Sequence, residues 1–406
     1  MTILLSFLTG ESKIRAAVVG NSVVVALLVE TSRAYGRGIC QGIARYVQEN
    51  PDWSIIYQER TLKQSVPKII RHRHVDGILM RVDQPRLAAE IISLGIPLVD
   101  LLHLSPGWPS YQIDDRSTAQ MAANYFMENG FIHFAFCGYP GIPFSDRRET
   151  AYTEYLRQRN FPAFLYRPRP TVKHQNQVLR AEELGFNETE ALAAWLGELP
   201  RTSGLFACND VRALQVLQAC QLGGVAVPDQ VAVLGVDNDE IITELSHPKL
   251  SSIQPDTVGT GYKACQCLHA MIQGNSVLPV IDYTPPVGVI ERDSSNFIAT
   301  QDHMVAAALR IIRSRACSGL TIKDLLGELA ISRSNLEARF RRVLGRTVHD
   351  EITRVRIQRV RQLLHSTDKT LAKIAAETGY LDISHLSRSF RKKTGKWPGQ
   401  YRRDLG

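Results

Sequence analysis

From residue 22 the apolar positions fall into short, nearly continuous runs separated by longer stretches with helical spacing. Residues 21–30 (NSVVVALLVE) read as a strand buried on both faces, and Gly38 to Glu49 as an amphipathic helix. VDGILM (75–80) and IPLVDLL (96–102) are the next strands, with a helix from Pro85 to Leu94 between them. A helix from just after Asp114 to Met127 leads into the strand FIHFAFCG (131–138). The rhythm then repeats: helices at Thr150 to Gln158 and Glu190 to Leu199, the strand TSGLFAC (202–208), a helix from Val211 to Leu222, and the strand VAVLGVD (231–237). Alternation of this kind predicts an α/β fold of parallel sheets with helices on both faces, and residues 22–292 are enough chain for two lobes. Between Phe161 and Gly185 no motif is legible.

Beyond residue 300 the helical period takes over. Residues 371–402 (LAKIAAETGYLDISHLSRSFRKKTGKWPGQYR) hold a short helix, Leu371 to Glu377, a Thr378-Gly379-Tyr380 turn and a second amphipathic helix. Ile374, Ala375, Leu386 and Phe390 are spaced to close the two helices on each other. Ser384, Ser387, Arg388, Arg391, Lys392 and Lys393 are left on the outer face. This is a helix-turn-helix with a basic recognition helix, a shape that fits a DNA major groove. The unit occurs twice, since residues 322–345 lie on 371–395 with one extra residue in the later copy. Leu325 matches Ile374, Ala330 matches Gly379, Leu336 matches Leu386, Phe340 matches Phe390 and Gly345 matches Gly395. Between the copies, Val348, Ile352, Val355, Val360, Leu363 and Leu364 keep helical spacing and predict one linking helix.

Charge divides the chain at the same place. Residues 301–406 carry 22 Lys+Arg against 10 Asp+Glu, while the first 300 carry 26 against 30. A strongly basic tail on a mildly acidic body is an electrostatic footprint for phosphate. A membrane surface would need an apolar face with Trp or Phe at helical spacing, which the tail lacks. No run of 18 apolar residues crosses a bilayer, and Ile3 to Leu8 is too short for a secretion signal. The expected organisation is a tail (1–21), a sensor module (22–292), a linker (293–300) and a DNA-binding module (301–406). The seven cysteines are odd in number and lack paired zinc spacing. Cys265 and Cys267, two apart on a helix, point away from each other, so free thiols in a reducing cytoplasm are expected.

In parallel α/β sheets, ligands sit in the crevice beyond the carboxyl ends of the strands. That rule nominates Ser32, Arg33, Tyr35 and Arg37 beyond the first strand, and Asp114 and Asp115 beyond Gln112-Ile113. Asn209, Asp210, Asp237 and Asn238 follow later strands, and Arg147 and Arg148 open a helix after Gly138. Asp, Asn and Arg beside an aromatic suit a sugar, whose hydroxyls both donate and accept while its C–H face packs on a ring. The competing reading, position by position, is helix capping: a loop Asp before a helix, or Asn209-Asp210, is a ready N-cap.

The tail order I-A-x-x-x-G-Y-x-D-x-S-H-L-S-R-x-F-R-K-x-x-G-x-x-P-x-x-Y-R resembles the second helix-turn-helix of AraC-type transcription regulators. That resemblance implies two heads entering successive major-groove segments, roughly 34 Å apart for one turn. Base edges would be met by Ser334, Glu337 and Ala338 in the first head, and by Ile383, Ser384, Ser387 and Arg388 in the second. Arg391 and Lys392, with Arg341, Arg342 and Lys393, would hold phosphates or solvate the surface. The segments IDDRSTAQMAANYFMENGFIHFAFCG, RRETAY, FACNDVRALQV and VLGVDND are similar to the effector domain of LacI-type repressors and periplasmic sugar-binding proteins. By that likeness Asp114, Arg148, Asn209 and Asp237 would contact sugar, and Tyr35 stands where relatives place a stacking aromatic. The order of modules, with YGRG-x-x-x-G-I-A-R-Y, AAWLGELP, GVDNDE and PPVGVIERDS, resembles bacterial xylose-operon regulators over nearly the whole chain.

What the resemblance implies is a cytoplasmic, sugar-responsive regulator, probed against three alternatives. Its partners would be double-stranded DNA, a pentose such as D-xylose, a second copy of the chain, and RNA polymerase if it activates; no cofactor, metal or membrane is implied. One alternative is a different pentose or hexose, or repression in place of activation. Another is an enzyme with a DNA-binding appendage, for which the chain shows no G-x-S-x-G elbow, H-E-x-x-H or Walker loop. His72 and His74, flanking Arg73 on a polar loop, read as solvated. The third, a transporter's solute-binding protein, does not suit the basic tail.

Overall fold

The computed structural model describes residues 22–57, 74–102, 107–167, 178–297, 299–300 and 302–404. The tail expected at 1–21, with His72 and Arg73, lies outside the described residues. The first lobe begins with β1 (Val23–Val29), α1 (Ala34–Glu49), β2 (Trp53–Tyr57), β3 (Gly77–Arg81), α2 (Pro85–Ile92), β4 (Leu98–Asp100) and β5 (Ser110–Ile113). The chain then crosses into the second lobe through α3 (Asp115–Glu128), β6 (His133–Cys137), α4 (Pro143–Arg157), β7 (Ala163–Leu165), α5 (Val178–Gly185) and α6 (Thr189–Glu198). That lobe continues with β8 (Ser203–Ala207), α7 (Asp210–Gly223), β9 (Val231–Val236), α8 (Glu240–Leu245) and β10 (Ser251–Gln254). It crosses back through α9 (Thr257–Ile272) to β11 (Ile281–Thr284), and a third time to β12 (Gly288–Ile290).

Each lobe is one six-stranded sheet, ordered β11-β5-β4-β3-β1-β2 and β12-β10-β9-β8-β6-β7. The pairings are parallel except at one edge, where β12 runs antiparallel to β10. The near-continuous apolar runs follow from two-sided burial. Along β1, Val25, Leu27 and Val29 enter one core while Ala26 and Leu28 enter the core on the opposite face. Along β9, Ala232, Leu234 and Val236 enter one core and Val231 and Val233 the other. Helices α1 and α9 pack without room for side chains at two glycines. A Cβ at Gly38 would lie 2.0 Å from Thr257 Oγ1, and one at Gly42 2.0 Å from the Val258 carbonyl oxygen. The YGRG-x-x-x-G stretch is therefore a helix-packing feature of the first lobe.

The stretch expected as a linker is bound into the second lobe. Ser294 is fully buried, its hydroxyl donating to the Val233 carbonyl (2.7 Å) and accepting from the Ser251 amide (2.9 Å). The Ala299 amide donates to the Asn129 carbonyl at 2.9 Å. Ser294 and Ala299 are thus both fastened to the second lobe.

The tail module holds α10 (His303–Arg315), α11 (Ile322–Leu329), α12 (Arg333–Leu344), α13 (Val348–Ser366), α14 (Leu371–Glu377), α15 (Ile383–Thr394) and α16 (Pro398–Asp404). It has two separate apolar cores, one per helix-turn-helix. The linking helix α13 gives Val348 and Ile352 to the first and Ile357, Val360, Leu363 and Leu364 to the second. The first turn carries Ala330 in the left-handed region (φ 49°), where the second has Gly379 (φ 73°). A Cβ at Gly379 would meet the Ala316 carbonyl oxygen at 2.7 Å, so only the second turn requires glycine.

The two modules dock through charge and backbone contacts. Arg354 reaches Glu128 at the end of α3 (3.5 Å) and Glu351 on its own helix (2.7 Å). Arg346 donates to the Glu128 carbonyl at 2.8 Å, and Gln358 donates to the Val289 carbonyl on β12. Glu351 is fully buried. Burial opposes its ionisation, but the hydrogen bond and charge of Arg354, with the charge of Arg346, hold it below the usual carboxylate range.

Candidate functional site

The carboxyl ends of β1, β3, β8 and β9 and the starts of α3 and α4 converge on a cavity between the lobes. Tyr35, Arg148, Asn209 and Asp237 all line it. Asp114 does not. Its carboxylate caps α3, accepting from the Ser117 amide at 3.0 Å. The neighbouring Asp115 enters the cavity instead, so the residue expected at this corner is corrected by one position. The cause is helix geometry: the N-cap side chain folds over the first free amides, while the next residue projects from the first turn.

Arg148 is the buried pivot of the second-lobe wall. Its Nε donates to Asp115 Oδ1 at 2.7 Å, and its terminal nitrogen to the Cys208 carbonyl at 2.5 Å. Burial works against its charge, yet Asp115 and then Asp237 keep its pKa raised. Asn209 divides its amide between two tasks: its oxygen caps α7 through the Arg212 amide (2.9 Å), and its nitrogen donates to Glu182 Oε1 (2.9 Å). The capping and site readings of Asn209 are therefore not exclusive. Asp237 takes a positive φ of 112°, followed by Asn238 at 48°. Two conformations this uncommon outside glycine, side by side, need outside support. Ser252 Oγ accepts from the Asn238 amide (3.0 Å) and donates to the buried Asp210 (2.6 Å), which also accepts from the Asp239 amide (2.8 Å). Loss of solvent pushes the Asp237 carboxyl up to about 7, against the pull of Arg148 and Arg81.

Several cavity groups escaped sequence reasoning. Glu182 comes from α5, inside the stretch without a legible motif, and pairs with Arg33 of the first lobe at 2.6 Å. Arg81 and Asp83 stand at the end of β3, and Glu30 at the end of β1. Arg81 lies over the Tyr35 ring, 4.6 Å from its centroid, so one face of the expected stacking aromatic is already covered. Arg37, nominated at a strand end, bridges the lobes to Asp239 at 3.1 Å.

In the tail, Leu336 and Phe340 of α12 and Leu386 and Phe390 of α15 face inward, leaving the opposite faces to solvent. Ser334, Ala338, Ile383, Ser384, Arg388, Arg391 and Lys392 are exposed there, and Ser387 is half-buried. Glu337 is half-buried and turns back, accepting from the Val348 amide at the head of α13 (3.4 Å). Arg391 packs over the Trp397 ring at 4.5 Å. Arg342 is engaged with Asp302 at 3.0 Å and Lys393 with Asp350 at 3.2 Å, so both are held by carboxylates of the same module. Leu381, absent from the expected contacts, is 92% exposed at the tip of the second head. No helix of the described residues is long and apolar enough to cross a membrane.

Comparison with known proteins follows the same division. An XylR N-terminal domain matches residues 24–105, a periplasmic binding protein-like domain residues 123–295, and a helix-turn-helix domain residues 325–404. The xylose operon regulatory protein of Haemophilus influenzae is 30% identical over 388 residues, covering 93% of this chain and 97% of that protein. Its namesake in Escherichia coli K12 is 28% identical over 387 residues, 93% of this chain and 96% of that one. A solved structure of the xylose-binding transcription activator XylR is similar at 28% identity, with a TM-score of 0.57, over 94% of this chain and 97% of its own.

Proposed function

The chain belongs to the family of xylose operon regulatory proteins, transcription regulators that join a periplasmic binding protein-like sensor to an AraC-type DNA-binding domain, and on that premise we propose that D-xylose is its effector, held in the interlobe cavity. The observation that carries this reading is the cavity itself. Tyr35, Arg148, Asn209 and Asp237 converge there from both lobes, with Asp115 in the place first given to Asp114. The cavity is small, about 100 Å³, and is lined by charged and aromatic side chains from both lobes.

Sugar bridging the two walls favours the closed lobes, and only its preference for that state can do work on DNA binding. Two elements that leave the lobe crossings, α3 and β12, carry the contacts to α13 through Glu128 and Val289. Closure therefore moves the helix that joins the two reading heads. The protein acts in the cytoplasm as a homodimer whose sensor modules pair, sugar selects one half-site spacing, and the bound form activates by contact with RNA polymerase.

A thermal-shift panel of pentoses and hexoses tests the effector, since a ligand at a hundredfold excess over Kd adds about 2.7 kcal/mol of stability. Operator binding by fluorescence anisotropy, with and without that sugar, tests the switch. A shift with a hexose alone reassigns the effector; DNA binding weakened by sugar makes the protein a repressor; turnover of the sugar makes it an enzyme.

A further inference from the structure

The two reading heads differ by one inserted residue, and the structure shows where it goes. In the first head a single residue, Ile331, separates the left-handed Ala330 from Ser332, the cap of α12. In the second, Tyr380 and Leu381 separate the left-handed Gly379 from Asp382, the cap of α15. Ile331 packs half-buried on the core of its head, and Tyr380 is buried in the core of the other. The residue left over is Leu381. It is 92% exposed, more than any other large apolar side chain among the described residues.

No packing within the chain accounts for a leucine there. An apolar residue just before a helix cap often packs on the fourth residue of that helix, which here is Leu386. Leu386 is fully buried in the core while Leu381 stands in solvent, so this staple is not made.

A single exposed leucine is ordinary on a protein surface. This one stands at the leading tip of a reading helix, beside Ile383 on the first turn, which is 43% exposed. Ser384, Arg388 and Lys392 follow at four-residue steps, all exposed, so the apolar tip opens a polar and basic helix face. Such a face is complementary to a phosphate-lined groove. Within a major groove, the apolar group that a base pair presents is the 5-methyl of thymine.

We propose that Leu381 is a specificity-determining residue of the second head, packing with Ile383 on a thymine methyl group in the major groove. The test uses full-length protein and a duplex that it has enriched from a randomised pool, with D-xylose present. Each thymine is replaced in turn by deoxyuridine, which keeps the pairing and every hydrogen-bonding group and lacks only the methyl. For the wild type, fluorescence anisotropy should show a loss of about fourfold at one or two thymines, the worth of one buried methyl group. Leu381→Ser should bind the unmodified duplex about fourfold more weakly and show no further loss at those thymines. Leu381→Met, which keeps an apolar side chain, should retain the wild-type response. A wild type indifferent to every replacement would overturn the proposal, as would a Leu381→Ser variant with the wild-type response at every thymine. Unchanged DNA binding with lost transcription activation in Leu381→Ser would assign the tip to a protein partner and overturn it as well. The wild-type deoxyuridine series stands even if a variant folds poorly.

Discussion

Asp239, on the second lobe, accepts a hydrogen bond from the backbone amide of Ala34, the first residue of α1 on the first lobe, at 3.0 Å. The same oxygen accepts from Arg37 at 3.1 Å. A carboxylate at a helix N-terminus is favoured by the free amides and the helix dipole there. With the Arg33–Glu182 pair, whose arginine precedes Ala34, this contact ties the start of α1 to the second lobe at two carboxylates.

Removing that latch should weaken the sensor's closed state without touching the cavity. Arg37→Ala is expected to lower sugar affinity by about three- to tenfold, the range for one partly exposed charged contact. Asp239→Ala should do more and should also destabilise the fold by about 1 kcal/mol, because Asp239 caps α8 through the Ile241 amide (3.1 Å). Calorimetric titration with D-xylose and urea unfolding separate the two effects. Unchanged affinity in both variants would mean the latch has no part in closure.

Asp237 should make stability depend on pH. Its folded pKa, about 7, lies above the unfolded carboxylate value of about 3.9, so the folded protein holds a proton that the unfolded chain has released. Its contribution is fully present below about pH 4, is lost as pH rises through about 7, and is flat above that. Asp256, pushed up to about 6 by burial, adds loss in the same direction. Urea midpoints from pH 4.5 to 8 should therefore fall less steeply for Asp237→Asn than for the wild type. Sugar hydroxyls donating to Asp237 favour its ionised form, so binding near pH 7 should release a proton. That release would appear as a binding enthalpy that changes with the buffer's ionisation enthalpy, and it should vanish in Asp237→Asn.

The two kinds of cation on the second head should behave differently on DNA. Arg388, exposed early in α15, is expected to read a base, most simply a guanine edge. Arg388→Ala should weaken binding by about 1–3 kcal/mol at particular base pairs. Lys392→Ala should weaken all sequences alike and reduce the salt dependence. Selection from a randomised duplex pool, repeated at two salt concentrations, distinguishes the roles. Identical base preferences for wild type and Arg388→Ala would remove that residue from the readout.

Coupling between the modules should run through the end of α3. Glu128→Ala removes the carboxylate facing Arg354 and leaves the cavity untouched. Sugar affinity should stay within twofold of the wild type. The sugar-induced change in operator affinity should shrink by a sizeable part of the about 1–3 kcal/mol typical of such coupling. A full response in Glu128→Ala, measured by anisotropy with and without sugar, would place the signal path elsewhere.

Where local pattern and burial coincide, the sequence was readable. β1, β3, β8 and β9 are buried on both faces, and their apolar runs stood out. The paired heads were legible because Leu336 and Phe340 repeat as Leu386 and Phe390, each a one-turn step on an amphipathic helix. β2 and β7 sit at sheet edges with only Trp53 fully covered, so neither shows a buried run. Position along the chain also led to the cleft, because strand carboxyl ends face it.

Which side chain at each strand end enters the cleft was a tertiary matter. Asp114 and Asp115 are chemically alike and adjacent; only the register of α3 makes one a cap and the other a partner of Arg148. Arg33 and Glu182 are 149 residues apart, and Arg37 and Asp239 are 202 apart. Local sequence decides elements because propensity and periodicity act between near neighbours. The charge balance of the cleft, the pairing of Arg81 with Glu30 and the covered face of Tyr35 arise only when strand ends distant in the chain are brought within a few ångströms of one another.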